Sequence, residues 1–307
     1  MEIAGFHALK ENLKNLPVKE AVVAAAHDEH TLQAVFEAGR EGFIRPILVG
    51  RGEEIRAIAR RLGESLSEDQ VVEADGEEAC ARQAVALIRE GRGELLIKGM
   101  LQTGTLLKAV VNRDSGIRKS RVMSHVAILD VPAYHKLLFI TDGGMVVAPD
   151  LEQKRHILKN AVEFCHFLGY DCPRVGVLCA VESVNHAMPE TEQAAVLKEE
   201  GARGDFGACM VEGPISLDLA TDHQAALTKG YHSPVAGEAD ILLVPAIAVG
   251  NVLGKALYGL AGGEMAGVVL GATVPITVNS RGATAQEKYW SILISAAMGN
   301  PAGASNS

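Results

Sequence analysis

Residues 21–50 read AVVAAAHDEHTLQAVFEAGREGFIRPILVG, and the fold class follows from how that stretch divides. Ala21-Val22-Val23-Ala24-Ala25-Ala26 is short and wholly apolar, which suits a strand covered on both faces. Asp28 and Thr31 then supply a helix start, and Leu32, Val35 and Phe36 recur at helical spacing on one face. Pro46-Ile47-Leu48-Val49-Gly50 reads as a second strand. Strand, helix and strand in quick succession form the unit from which parallel sheets are wound.

The alternation continues outward from that unit. A helix runs through Ile55, Ile58, Ala59 and Leu62, another from Ala79 to Arg89, and Leu95-Leu96-Ile97 is a strand ending at Lys98-Gly99. Strands Val126 to Leu129 and Leu137 to Thr141 flank Pro132, where the chain is expected to cross into a second lobe. Beyond a long helix from Leu151 to Leu168, strands are expected at Val175 to Leu178, Cys209-Met210-Val211, Ile241 to Val244, Gly267 to Leu270 and Ile276 to Val278. A closing helix runs from Ala285 to Met298. With 307 residues a bilobed α/β molecule is the natural expectation. The expected domains are 1–132 plus 274–307, and 133–273.

Composition narrows the function classes. Apolar residues make up 48% and aromatics 4%, with 32 glycines, the profile of a packed α/β enzyme. A net charge of −9 with scattered basic residues gives no support to an extended nucleic-acid surface. Apolar stretches near the C-terminus are broken by Asn251, Lys255 and Glu264 before reaching membrane-spanning length, and the first residues do not read as a leader. The expectation is therefore a soluble, cytoplasmic protein without membrane partners. The five cysteines are odd in number and lack C-x-x-C spacing, so reduced buried thiols are expected, with neither a disulfide framework nor a zinc site. His27 and His30 read as part of a helix start rather than as a metal pair.

In open parallel sheets ligands bind beyond the carboxyl ends of strands, so polar residues there are the first candidates. Five clusters qualify: Lys98-Gly99 with Thr103-Gly104-Thr105, Thr141-Asp142-Gly143-Gly144, Glu212-Gly213-Pro214, Gly250-Asn251 with Lys255, and Asn279-Ser280-Arg281. Each alone is also what a tight turn or a helix cap requires. Arg281 beside Ser280 carries more chemistry, because a planar guanidinium presents paired donors that match phosphate oxygens. A helix beginning just after that pair would add about 0.3–1 kcal/mol of favourable potential for an anion.

Taken in order, these stretches resemble the phosphate acetyl/butyryltransferase family over nearly the whole chain. The resemblance is carried by Ser124-His125-Val126-Ala127, by Thr141-Asp142-Gly143-Gly144 through Pro149-Asp150-Leu151 to Lys154, and by Gly213-Pro214 with Asp218. Ala239-Asp240-Ile241-Leu242 through Pro245 to Gly250-Asn251, and Ser280-Arg281, complete it. The Asp142-Gly143-Gly144 form is more similar to the butyryltransferase branch. Membership implies two three-layer α/β/α subdomains with a cleft between them, sharing a fold with isocitrate and isopropylmalate dehydrogenases.

The resemblance also implies the reaction: reversible transfer of a short acyl group, butyryl favoured over acetyl or propanoyl, between coenzyme A and inorganic phosphate. Coenzyme A is then a substrate, no cofactor is held tightly, no metal is needed, and a homo-oligomer, dimer or higher, is expected. In the family mechanism the thiolate attacks the carbonyl of the acyl phosphate directly and no acyl group becomes attached to the protein. Ser280 becomes a candidate oxyanion donor, a role worth roughly 3 kcal/mol, and Arg281 a phosphate ligand. Glu287 stands where the acetyl branch has an aspartate, six residues after the arginine, and is the candidate base. Gly143 stands where that branch has a cysteine. Lys98, Gly99, Thr103, Thr141, Asp142, Gly143, Gly213, Pro214, Gly250, Asn251 and Lys255 are the expected substrate pocket, and the apolar segment Ala256 to Gly271 an expected interface. Two rival readings compete with this one. Asp218 and Asp222, four apart, would suit the metal of an NAD(P)-dependent decarboxylating dehydrogenase if they shared one helix face. A noncatalytic ligand-binding protein of the same fold would need none of this chemistry.

Overall fold

The computed structural model describes residues 2–280 and 282–298. They divide into a terminal unit, Leu9–Arg121 with residues 266–298, and a central unit, residues 2–8 with Val122–Met265. Helix α1 (Phe6–Leu13) spans the first boundary. In the terminal unit β1 (Lys19–Ala24), β2 (Ile44–Gly50), β3 (Val71–Glu73) and β4 (Leu95–Lys98) alternate with α2 (Glu29–Arg40), α3 (Gly52–Arg61), α4 (Glu77–Arg89) and α5 (Thr103–Val110). The central unit contains β5 (Ser124–Asp130), β6 (Leu138–Thr141), α6 (Leu151–Phe167), β7 (Arg174–Leu178), α7 (Pro189–Ala202), β8 (Met210–Ile215), α8 (Leu217–Thr221), α9 (His223–Thr228), β9 (Ile241–Leu243) and α10 (Ile247–Gly259). The chain returns to the terminal unit through β10 (Glu264–Leu270), β11 (Ile276–Thr277) and α11 (Ala285–Ala297). No helix among the described residues is long and apolar enough to cross a membrane.

The opening stretch folds as its pattern dictates. β1 and β2 pair in parallel with Val23 opposite Leu48, and Val22 and Val23 are fully buried. Asp28 caps α2 by accepting from the Thr31 amide at 2.9 Å. Leu32, Val35 and Phe36 turn inward. Each such buried aliphatic or aromatic side chain contributes roughly 1.5–3 kcal/mol. Lys288 of α11 then donates to Asp28 and to the Thr31 hydroxyl, at 3.1 and 2.7 Å, which ties the last helix to the first strand-helix unit.

The strand order is β3-β2-β1-β4-β11-β10 in the terminal unit and β5-β6-β9-β7-β8 in the central one. The sheets are not purely parallel as expected, since β5 runs antiparallel to β6 and β10 antiparallel to β11. The reason is connection length: residues 131–137 and 271–275 are too few for the crossover, of roughly a dozen residues or more, that a parallel pair needs. Elsewhere the strands are parallel, and right-handed crossovers set their helices. In the terminal unit the chain moves outward from β1 to β3 and then returns to β4, so α2 and α3 lie on one face and α4 on the other.

The division of the chain also differs from expectation. It falls after Arg121 and after Met265, rather than at Pro132 and at residue 273. Ala127 and Leu129 of β5 belong to the same core as Leu138, Ile140 and Leu242, which places β5 with the strands that follow it. Residues 2–8 join them because the Ile3 carbonyl accepts from the Leu137 amide at 2.9 Å and the Phe6 amide donates to Asp130 at 2.9 Å. The thiols are less uniformly buried than expected. Cys80 and Cys165 are buried, whereas Cys172 is exposed in the turn before β7, and Cys179 and Cys209 are half-buried.

Candidate active site

Because the chain reverses direction between β3 and β4, helices on opposite faces flank β1 and β4, and the carboxyl ends of those two strands are where ligands bind in open sheets of this kind. Lys98 and Gly99 lie there. The Gly99 amide donates to the Ala24 carbonyl at 2.9 Å, and a β-carbon on Gly99 would come within 2.3 Å of the Ala25 carbonyl oxygen, so only glycine fits. Lys98 is buried, with its Nζ donating to the Gly99 carbonyl at 3.2 Å. β11 pairs with β4, Thr277 opposite Ile97, so Asn279 and Ser280 emerge beside Lys98 and Gly99. Thr103 opens α5, a few residues beyond the strand end.

Ser280 is exposed, and its hydroxyl oxygen accepts only a long 3.4 Å contact from the Gly282 amide. It does not cap a helix. α11 begins at Ala285, where the closing helix is expected, with Thr284 as its N-cap, so Ser280 lies several residues before the helix rather than directly at its end. A terminal dipole fades within one turn, which weakens its pull on an anion at Ser280. Arg281 lies outside the described residues. Glu287 is buried and closes a capping box: its Oε2 accepts from the Thr284 amide at 2.8 Å and the Thr284 hydroxyl at 3.0 Å. Asn279 donates to the Ser291 hydroxyl at 2.9 Å, so both ends of the 279–284 loop are fastened to α11.

In the central unit the polar loop after β6 is held by its own aspartate. Asp142, 2% exposed, accepts from the amides of Gly144 and Met145 at 2.7 and 2.8 Å through one oxygen and from the His125 amide at 3.1 Å through the other. The Thr141 hydroxyl donates to the His125 carbonyl at 2.9 Å. Gly143 lies against α10, where a β-carbon on it would stand 2.9 Å from the Gly250 carbonyl carbon. Asn251 donates to the Gly143 carbonyl at 3.4 Å, and exposed Lys255 lies one turn further along the same helix. Thr141, Asp142, Gly143, Gly250 and Asn251 are thus brought together as expected.

Gly213 and Pro214 are not. They lie within β8 rather than after it, where a β-carbon on Gly213 would strike Val177 at 2.8 Å. They line a separate 520 Å³ pocket with Glu182, Lys198 and Tyr231. Proline is tolerated there because β8 ends the strand order. Asp218 and Asp222 do not share a helix face either. Asp218 pairs with Lys229 at 2.8 Å, while Asp222 ends α8 and caps α9 by accepting from the Gln224 amide at 2.8 Å. Among the described residues no group of three or more His, Cys, Asp or Glu side chains is arranged for a metal.

The structure also brings His125, of the Ser124-His125-Val126-Ala127 stretch, to the Asp142 loop. It is the second residue of β5, and because β5 is antiparallel to β6 its start lies at the carboxyl edge of the parallel strands. A β-carbon on Gly144 would fall 2.9 Å from the His125 ring, so the second glycine of Gly143-Gly144 is the floor on which that imidazole rests. Burial pushes the imidazole pKa down and Asp142 pulls against it; the net shift is downward, which keeps the ring neutral near pH 7. The half-buried thiol of Cys179 is pushed up to about 11 by burial, and that of Cys209 also to about 11. Neither is a ready thiolate at neutral pH.

Comparison with known proteins shows the family. A family model described as Phosphate acetyl/butaryl transferase matches residues 79–296. A phosphate acetyltransferase of Thermotoga maritima is 38% identical over 278 residues, spanning 91% of this chain and 94% of that protein. A phosphate butyryltransferase of Clostridium acetobutylicum is 36% identical over 294 residues, spanning 96% and 98%. The crystal structure of a branched-chain phosphotransacylase from Enterococcus faecalis superposes with a TM-score of 0.79 at 31% identity, over 91% of this chain and 98% of that one. The expected likeness in fold to dehydrogenases is also present: a 4-hydroxythreonine-4-phosphate dehydrogenase structure from Salmonella typhimurium, at 13% identity, matches with a TM-score of 0.55 over 92% and 99% of the two chains. With most of its length matched at this identity, the chain belongs to the phosphate acetyl/butyryltransferase family and is a phosphate acyltransferase.

Proposed function

We propose that this enzyme transfers a short acyl group, butyryl in preference to acetyl, between coenzyme A and inorganic phosphate. The butyryl preference rests on the Asp142-Gly143-Gly144 corner, whose form resembles the butyryltransferase branch and which puts no cysteine beside the loop; Gly143 packs there on the Gly250 main chain and Gly144 on the His125 ring. Relatives named for both acyl groups match at similar identity, so the preference rests on that corner. Coenzyme A thiolate attacks the carbonyl carbon of the acyl phosphate, the carbon-oxygen bond to phosphorus breaks, and its electron pair leaves with phosphate. Gly143 offers no nucleophile and Cys179 is held as a thiol, which favours direct transfer over an acyl-enzyme. Ser280 and Arg281 are assigned to the oxyanion and the phosphate. The test is release of free thiol from acetyl, propanoyl, butyryl and longer coenzyme A esters, with and without phosphate. Two extra methylenes are worth about 10-fold or more in kcat/KM if the pocket accepts them. A higher value for the acetyl ester overturns the preference, and absence of phosphate-dependent release from every ester overturns the reaction.

Glu287 is assigned a positioning role within this reading, because its carboxylate is the acceptor of the Thr284 capping box. Glutamine keeps such an acceptor and cannot take up a proton. Glu287→Gln is therefore expected to retain kcat within about fivefold, while Glu287→Ala loses the cap, about 1 kcal/mol of stability, and much of the turnover. Collapse of kcat in the glutamine variant at unchanged Tm would instead identify Glu287 as the base.

The same reading includes self-association. α10 is rich in apolar side chains, yet only Gly250 and Gly254 of its residues are buried. Val249 and Val252 stand 42% and 67% exposed beside a 710 Å³ groove lined also by Leu217 and Leu253. Of the segment expected as an interface, Ala266 to Leu270 is buried in its sheet, which leaves α10 as the candidate face. Apolar area of this kind is ordinarily covered. Light scattering should give at least twice the 32.4 kDa chain mass, and Val252→Glu should lower it; a monomer at all concentrations rejects the assignment.

A further inference from the structure

The His125 side chain makes no hydrogen bond among the described residues, although its amide donates to Asp142 and its carbonyl accepts from the Thr141 hydroxyl. Its Nδ1 is sealed from solvent without a partner, facing Gly144 at a spacing of 3.1 Å from where a β-carbon would stand. The residue as a whole is only half-buried. A buried N–H with no acceptor is rarer and costlier than an unpaired lone pair. The neutral ring therefore carries its proton on Nε2 and leaves Nδ1 bare, a tautomer assigned from these neighbours. Such a ring donates a hydrogen bond through Nε2 and accepts none there.

We infer that His125 is a hydrogen-bond donor to the carbonyl oxygen of the acyl group, acting through Nε2–H at the Gly143-Gly144 corner. The choice of a carbonyl over a phosphate follows from charge. Asp142 is buried against the His125 main chain, and a carboxylate at that distance repels a phosphate dianion while tolerating a neutral carbonyl. Nε2, unlike Nδ1, is not among the sealed atoms of the ring, and the residue is half-buried, so an acyl group can reach that edge. As sulfur adds to the carbonyl carbon, the oxygen gains negative charge and the Nε2–H bond shortens and strengthens, so the donor favours the transition state over the bound ester. The proton stays on nitrogen throughout, and the ring is neutral before and after.

This inference rests on the acyl-transfer reading, and its test separates the two. Wild-type enzyme, His125→Ala and His125→Gln are compared for phosphate-dependent thiol release from butyryl-coenzyme A, with Tm as the fold control. Glutamine places an amide N–H near the former Nε2 and cannot serve as a base. Expected are a loss of 10²- to 10³-fold in kcat for alanine with KM changed less than fivefold, and recovery of at least tenfold of that loss by glutamine. Gly144→Ala, which pushes a methyl against the ring, should lower kcat in the same sense. If the wild type is active and His125→Ala keeps kcat, or if glutamine is no better than alanine, the donor assignment is overturned. If the wild type itself releases no thiol with any ester, the acyl-transfer reading fails first.

Discussion

Arg281→Ala is expected to lower kcat/KM for phosphate-dependent thiol release by on the order of 10³-fold, about 4 kcal/mol of transition-state stabilisation. The expectation comes from the chemistry of the side chain. A guanidinium fixes two phosphate oxygens at once, and charge-assisted bonds of that kind are about twice as strong as neutral ones. Arg281→Lys keeps the charge and loses the fork, so it should restore no more than about tenfold, and chiefly in the KM for phosphate. Ser280, exposed and with its hydroxyl oxygen only weakly engaged by the Gly282 amide, should show a smaller effect on truncation that appears in kcat. A noncatalytic binding protein of this fold would lose nothing measurable in either variant. Unaltered turnover in Arg281→Ala, with a normal unfolding transition, would remove the phosphate-ligand assignment.

Local pattern was enough for the elements whose signal is local. β1, α2 and β2 lie within two residues of where the apolar runs of 21–50 place them, because strand length, helix period and a capping aspartate are all properties of neighbouring residues. The Thr141–Gly144 loop was legible for the same reason. His125 escapes the rule that ligand-binding residues follow strands, because β5 runs antiparallel to β6 and puts its first residues at the binding edge. That orientation is set by the short connection of residues 131–137, which is itself legible in the sequence. The start of α11 was also readable, since Thr284-Ala285-Gln286-Glu287 is a T-x-x-E capping box. Gly213-Pro214 was misplaced because proline ordinarily punctuates a strand, and only the strand order shows β8 at an edge. The membership of residues 2–8 is not legible in the sequence: the contacts that decide it, Ile3 to Leu137 and Phe6 to Asp130 together with Glu2 to Lys136 and Arg174, span more than a hundred positions.

Those contacts converge on the position where a single substitution should cost the most stability. Lys136 is 1% exposed, and its Nζ lies 2.7 Å from an Asp240 carboxylate that is itself buried. It donates to the Glu238 carbonyl at 2.9 Å and stands 3.5 Å from Glu2. The other Asp240 oxygen accepts from the Arg174 amide at 2.7 Å, so the carboxylate cannot turn toward water without breaking the start of β7. Lys136→Ala strands that charge, and removing one partner of a buried pair costs about 3–5 kcal/mol, a fall of roughly 6–20 °C in the Tm of the central unit. Lys136→Met combined with Asp240→Asn removes both charges while the new amide oxygen still accepts from Arg174. If the penalty is that of an orphaned charge, the double variant is more stable than Lys136→Ala, although it carries more changes. Were the two equally destabilised, the loss would belong to packing of the lysine stem, and the ion pair would contribute little to holding residues 2–8 and the β6 start in place.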